Sequence, residues 1–322
     1  MKITPAILCL FFQLLSPILL SGQPEVFRLD DFELRGPVES CTVITDYGEE
    51  RFEFDREGKL TKSLTRYNDS DYDISYYRYQ GGALVEKRDE VYRGGAFDES
   101  TSFARFYRRD SLTGMNLVEK ITSYDQSILE QITYSYDTIG RLQEISRVHQ
   151  QGIDQTKVVY STYKEEETAE YLLNEQLTKS IRTSFKESKK GPLEVRLVKE
   201  YYQEMPQSAV EQTRDSSNQL LSEVKFIYDS EKQRYKKSET HLYSYNEAGF
   251  LEGEKVLYYR QQGSKSVVYR TEEKTLVYQQ DGQTPGNWIR KIITPENSFT
   301  NRRITYFSEA SDPEREGEPD KG

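Results

Sequence analysis

One motif recurs three times and narrows what the chain can fold into. It appears as Phe54-Asp55-Arg56-Glu57-Gly58-Lys59-Leu60, Tyr136-Asp137-Thr138-Ile139-Gly140-Arg141-Leu142 and Tyr245-Asn246-Glu247-Ala248-Gly249-Phe250-Leu251. Each copy sets an aromatic residue before Asp or Asn, a Gly three residues later and a Leu two beyond it. The chemistry is that of a hairpin turn. A short Asp or Asn side chain accepts from backbone N–H groups just downstream, and Gly supplies the positive φ of a turn that ends in a bulge. The aromatic and the Leu then fall on the two flanking strands.

The flanks alternate with a period of two, as half-buried strands do. Ile132, Tyr134 and Tyr136 share one face, with Gln131, Thr133 and Ser135 on the other; Phe52 with Phe54, Val224 with Phe226 and Tyr228, and Tyr243 with Tyr245 alternate likewise. Tyr124-Asp125 and Tyr228-Asp229 read as copies that lost the Gly, and Asp281-Gly282 with Gly286-Asn287-Trp288 reads as a copy with a longer turn. Further strand-like runs span 74–79, 84–92, 157–163, 193–202, 255–259 and 266–278. The expectation is an all-β chain of on the order of 16 to 18 strands, with a short helix or loop allowed at 164–179 and 205–219. The arrangement expected is an extended antiparallel meander of repeated hairpins, forming a curved open sheet or half-barrel.

Composition decides the kind of core. Hydrophobic residues make up 35% of the chain and 25 of them are Tyr, against 14 Phe and a single Trp288. A compact aliphatic interior is poorly supplied, whereas a sheet face lined by tyrosines with wet hydroxyl tips is well supplied. Charged residues reach 30%, yet aromatic and β-branched residues are too frequent for a disordered chain.

The N-terminus reads as an export signal: Lys2, an apolar stretch from Pro5 to Leu20, then Ser21 and Gly22. The apolar part is short for a membrane span of about 20 residues, which disfavours an uncleaved anchor. Three regions follow: a signal peptide at 1–22, one β domain at 23–307 and an acidic, disordered tail at 308–322. The expected location is secreted or periplasmic, with no membrane span after cleavage. The net charge of −10 becomes −11 once Lys2 is removed. Without a basic block, that balance argues against nucleic acid as a partner. Cys41 alone survives cleavage, so no intramolecular disulfide forms; it sits in a strand-like run and reads as a small buried residue rather than a nucleophile.

No catalytic set emerges. His149 and His241 stand far apart, and no nucleophile-elbow, zinc-protease or paired-cysteine spacing occurs, so the reading is a non-enzyme with no cofactor and no metal. Asp69, Asp71 and Asp73 alternate as calcium ligands do but lack the Gly and closing Glu of a calcium loop, and a loop tip accounts for them. Asn68-Asp69-Ser70 matches the glycosylation triplet.

The surplus of aromatics is the feature with functional content, because an uncovered aromatic stripe marks a binding surface and flat rings suit sugars. Tyr76, Tyr77, Tyr79, Tyr258, Tyr259 and Trp288 are the candidate ligand-binding residues. Most other tyrosines are assigned to cross-strand pairing.

The stretch Tyr134-Ser135-Tyr136-Asp137-Thr138-Ile139-Gly140-Arg141-Leu142 resembles the YD repeat of Rhs-type proteins. Leu34 to Ser40, with the copy at 54–60, resembles short secreted YD-repeat-like proteins of Bacteroidetes-type bacteria, and Gly286-Asn287-Trp288 is similar to a variant of the repeat. The resemblance spans most of 34–306 with three sharp copies, and implies long antiparallel sheets serving as scaffold, cage or binding surface. A cage is not implied here, because the chain is too short to enclose a folded cargo. The expected function is a non-catalytic cell-envelope binding or scaffold module whose partner is a glycan or an envelope protein, with self-association through open edges. The alternatives are an envelope-polysaccharide enzyme with paired carboxylates, or a structural protein without a ligand.

Overall fold

The computed structural model describes residues 24–45, 48–110, 116–284 and 286–308; the expected signal segment at 1–22 and the expected tail from 309 onward lie outside these. After a 3-10 turn at Leu29–Phe32, the chain runs through β1 (Val38–Thr45), β2 (Gly48–Phe54), β3 (Leu60–Arg66), β4 (Tyr72–Gln80), β5 (Ala83–Arg93), β6 (Ala96–Phe97) and β7 (Phe103–Arg109). It continues through β8 (Asn116–Ser123), β9 (Ile128–Tyr136), β10 (Leu142–His149), β11 (Gly152–Tyr163), β12 (Glu166–Leu173), β13 (Gln176–Lys186) and β14 (Leu193–Tyr202). The remainder is β15 (Met205–Arg214), β16 (Leu220–Asp229), β17 (Arg234–Tyr245), β18 (Leu251–Gln262), β19 (Lys265–Gln280), β20 (Trp288–Thr294) and β21 (Ser298–Tyr306).

The antiparallel meander is as expected, but the open sheet is not. Cys41 pairs with Ile304 and Val43 with Arg302, so β1 joins β21 and the sheet closes into a 20-strand barrel. Closure removes the edges that an open sheet exposes. The two-residue β6 pairs with the same edge of β5 as β7, so β6 and β7 share one position in the ring, separated by the 98–102 loop. The stretches 164–179 and 205–219, where a helix or loop was allowed, are instead strands β12, β13 and β15 with tight turns.

The hairpin motif forms as its chemistry dictates. Asp55 Oδ1 accepts from the N–H groups of Glu57 and Lys59, both at 2.9 Å, and Asp137 Oδ1 accepts from Ile139 at 3.1 Å and Arg141 at 2.8 Å. Gly140 takes φ +83°, a conformation that costs an L residue about 1–2 kcal/mol. Asp215 forms a copy that sequence inspection passed over: it binds Ser217 and Gln219 in the same way, with Asn218 at φ +62° in the Gly position. Asp281 binds Gln283 and Asn287, the expected longer variant. Because strands alternate in direction round the ring, these four turns and the Asn246 turn, where Phe250 N–H donates to Asn246 Oδ1 at 3.0 Å, share one end of the barrel, here the near rim. The turns at Tyr124-Asp125 and Tyr228-Asp229 lie at the far rim.

Four of the five motifs are completed by a tyrosine from the following strand. Lys62 pairs with Tyr76, Glu144 with Lys157, Ser222 with Leu242 and Gly253 with Thr275, and there each ladder stops two residues past the motif Leu. Three residues further along the neighbouring strand, a tyrosine hydroxyl donates to that Leu carbonyl: Tyr79 to Leu60 at 2.7 Å, Tyr160 to Leu142 at 2.9 Å, Tyr245 to Leu220 at 2.9 Å and Tyr278 to Leu251 at 2.6 Å. The hydroxyl takes the place of the missing ladder N–H, so a buried carbonyl keeps its partner.

Side chains of one parity converge and those of the other splay. The converging set includes Cys41, Phe52, Tyr107, Leu117, Tyr134, Val158, Tyr171, Ile181, His241 and Tyr278, and much of it is buried. On a closed sheet side chains crowd on the concave side, which makes this the lumenal face. Polar members of that face are paired: Tyr134 donates to Glu119 at 3.0 Å and Gln212 to Glu223 at 2.9 Å, while His241 bonds Glu254 at 2.9 Å. At the near rim, residues 27–37 fold against the lumenal face. Phe32 packs on Phe52 and Phe54, and Leu34 is fully buried.

Candidate functional site

The meander departs from simple hairpins at β5–β7. Gly94 and Gly95, at φ +59° and +77°, reverse β5 into β6, a turn geometry that L residues resist at both positions. Their N–H groups are held by Asp71 Oδ1 at 2.7 Å and by the Ser70 carbonyl at 2.8 Å. The chain then loops through Asp98 to Ser102 before β7 rejoins β5 at Asp89 opposite Phe103. Across the gap, Val91 N–H donates to Ser102 Oγ at 3.0 Å, and that hydroxyl donates to the Asp98 carbonyl at 2.6 Å. A side chain thus stands in for a strand, and the wall opens into a cleft.

That cleft has a volume of about 690 Å³ and is lined by Arg88, Glu90, Phe97, Ser102, Ala104, Phe106, Thr122, Tyr124 and Gln126, among others. Beside it a second depression of about 460 Å³ is lined by Thr61, Tyr76, Tyr77, Arg78, Glu86, Arg88 and Glu90. Arg88 and Glu90 belong to both, so the two form one groove across β3 to β8. The registers place Tyr76 beside Arg88 and Arg88 beside Ala104, whose small side chain deepens the centre. Three aromatics remain open along it: Tyr76 and Phe106 are each 38% exposed and Tyr124 is 60% exposed. Glu86 sits in the floor with both oxygens taken, by Arg78 at 2.9 Å and by Arg88 at 2.8 Å. The groove therefore offers aromatic faces around a fixed set of charges, within the volume range of small-molecule sites.

The six residues chosen from sequence scatter round the barrel. Tyr76 lies in the groove. Tyr77 also borders the second depression, but its ring takes the lumenal parity of β4, edge-on to Phe27 at 6.2 Å between ring centroids. Tyr79 is committed to the Leu60 carbonyl. Tyr258 donates to Glu272 at 2.9 Å and Tyr259 lies under Lys237 at 5.2 Å, both on β18, far round the ring from β4. Trp288 is fully buried: its Nε1 donates to Glu33 at 2.8 Å, with the Arg302 guanidinium 3.4 Å from its ring centre. Its visible task is to anchor the N-terminal segment. Phe106, Tyr124, Arg88 and Glu90 were passed over, because only the strand registers bring them to one place; their sequence signal was confined to aromatic alternation.

Asn68 Oδ1 accepts from the N–H groups of Ser70 and Asp71, both at 2.9 Å, so the Asn68–Asp71 stretch is the β3–β4 turn, the expected loop tip. Among the described residues, no three His, Cys, Asp or Glu side chains are placed to hold a metal. Cys41 is buried, and burial pushes its thiol up to about 11 with Arg302 opposing.

No family model matches the chain, and no curated protein matches it in sequence. Among solved structures, it is similar to a porin-like protein from Bacteroides uniformis at 10% identity, covering 84% of this chain and 98% of that one, with a TM-score of 0.31. It is also similar to TcdB2-TccC3 at 12% identity, covering 80% of this chain but 17% of that one, with a TM-score of 0.27. A protein of unknown function from Bacteroides fragilis aligns at 13% identity over 53% of this chain and 91% of that one, with a TM-score of 0.18. Scores this low carry no argument about function.

Proposed function

We propose that the protein is an exported, non-catalytic binding or scaffold barrel of the cell envelope, built from YD-like repeats, and that its β4–β8 groove takes a glycan. The observation that carries this reading is the groove itself, with Tyr76, Phe106 and Tyr124 exposed around the Arg78–Glu86–Arg88 charges. Aromatic faces stack on sugar rings, and fixed charged groups orient hydroxyls.

The polarity of the wall supports a barrel bathed in water. No helix of the described residues is long and apolar enough to cross a membrane. A membrane barrel needs an outward apolar band about 25 Å tall. The outer parity here carries Arg51, Lys62, Arg88, Lys120, Lys157, Arg182, Lys255 and Arg303 in mid-strand positions, and the lumenal parity carries Glu119, Glu223, Lys225 and His241. Among the described residues, neither side presents such a band.

The rival reading is hydrolysis by paired carboxylates, and the groove does hold Glu86 and Glu90 on one face of β5. Both oxygens of Glu86 are occupied by arginines, which favours binding over chemistry. A thermal-shift titration of the mature chain against envelope glycans separates the readings. The expected result is a saturable rise in Tm with one sugar class, lost in Phe106→Ala and Tyr124→Ala. Release of shortened sugars would establish the enzyme instead, and no shift with any glycan would leave a protein partner.

A further inference from the structure

Closure of the barrel leaves one long stretch of β19 unpaired on one side. β19 pairs with β18 along nearly its whole length, from Lys265 opposite Gln262 to Thr275 opposite Gly253. On its other side β20 reaches only from Gln280 to Thr275, because β20 turns into β21 after Thr294. The stretch Lys265-Ser266-Val267-Val268-Tyr269-Arg270-Thr271-Glu272-Glu273-Lys274 therefore stands above the far rim with one edge that no described strand covers. Its exposure agrees: Val267, Val268 and Tyr269 are 36%, 42% and 55% exposed. Shorter stretches elsewhere also lack a partner on one side, such as Val158–Tyr163 on the β10 side of β11, but among the described strands this ten-residue edge is the longest, so it is where backbone N–H and C=O groups are most fully offered to another chain.

We infer that this edge pairs with the same edge of a second copy, antiparallel and two-fold symmetric about Thr271. The charge pattern picks the occupant. A two-fold axis through Thr271 sets Arg270 opposite Glu272 of the second copy, and the symmetric contact repeats the pairing. Val268 then lies opposite Lys274, whose aliphatic stem covers it, and Thr271 lies opposite itself. Arg270 and Glu272 already form an ion pair within the strand, so each exchanges a neighbour in its own chain for one across the axis. Opposite charges directly facing across an antiparallel pair stabilise it and like charges weaken it. The isologous contact closes on itself and yields a dimer rather than a fibre.

Light scattering coupled to gel filtration of the mature chain, over a dilution series, tests this. The wild type is expected to run as a dimer that dissociates on dilution. Thr271→Lys, which puts two cations face to face on the axis, gives a monomer with unchanged circular dichroism and Tm. R270E likewise gives a monomer, since it sets acid against acid, and R270E/E272R restores the dimer by exchanging the two charges. A wild type that is monomeric at every concentration overturns the inference. So does a dimer that survives both Thr271→Lys and R270E, or a double variant that stays monomeric with its fold intact.

Discussion

Tyrosine hydroxyls that finish the ladders should differ sharply in worth from hydroxyls that do not. Tyr160 donates to the Leu142 carbonyl at 2.9 Å, and Leu142 is 2% exposed. Tyr160→Phe keeps the ring, and with it the Arg141 contact 4.5 Å above, but strands that carbonyl. Loss of a buried partner costs about 2 kcal/mol, within the range of about 1–3 for such groups. Tyr79→Phe should match it, since Leu60 is also 2% exposed. Tyr245→Phe and Tyr278→Phe should cost about 1 kcal/mol, because Leu220 and Leu251 are partly open to water that can replace the donor. Tyr136 is the control: its ring is buried and its hydroxyl meets no hydrogen-bond partner among the described residues. Tyr136→Phe should therefore be neutral or stabilising. Urea unfolding reads the difference as a shifted midpoint at constant slope. Equal losses for Tyr136→Phe and Tyr160→Phe would refute the ladder-completion argument.

Three further outcomes follow from the same geometry. Gly140→Ala should lose about 1 kcal/mol, the left-handed strain at φ +83° in open space; Gly58→Ala should lose more, because its new Cβ would sit 3.1 Å from Leu29, and matched melting curves compare them. The Glu254 hydrogen bond raises the His241 pKa above 6.5 against the opposing effect of burial, while the His241 bond lowers Glu254 below 4.5. Their contribution is complete between those ordinary values, falls as pH rises through the raised His241 pKa and falls again in acid as Glu254 protonates; His241→Gln should flatten the alkaline limb of a stability-against-pH profile. Cys41 should resist a thiol reagent at pH 8 in the native state and react on unfolding, because its thiol stays protonated until about 11.

What the sequence reveals is whatever side chains write into their own neighbourhood. The Asp55, Asp137 and Asn246 turns were legible because acceptor, Gly and flanking strands lie within seven residues. Strands β12, β13 and β15 were obscured because their turns use no Gly. Lys164-Glu165, Asn174-Glu175 and Gln203-Glu204 all take positive φ at both positions, which residue identity does not advertise. Closure depends on pairing Cys41 with Ile304 across almost the whole chain, a contact that no local pattern encodes. The groove fails to announce itself for the same reason: Tyr76, Arg88, Phe106 and Tyr124 become neighbours only through the registers of four strands. Trp288 looked like a surface platform because a lone Trp in a Tyr-rich chain stands out, yet the N-terminal segment covers it.

Hydrogen exchange of the chain from residue 23 onward, with and without a saturating glycan drawn from the titration, tests the groove assignment most directly. The account predicts slowed exchange confined to β4, β5, β7 and the β8–β9 turn around Tyr124, with β18 unchanged. Protection centred on Tyr258 and Tyr259, or none on β4 to β8 despite binding, would contradict it.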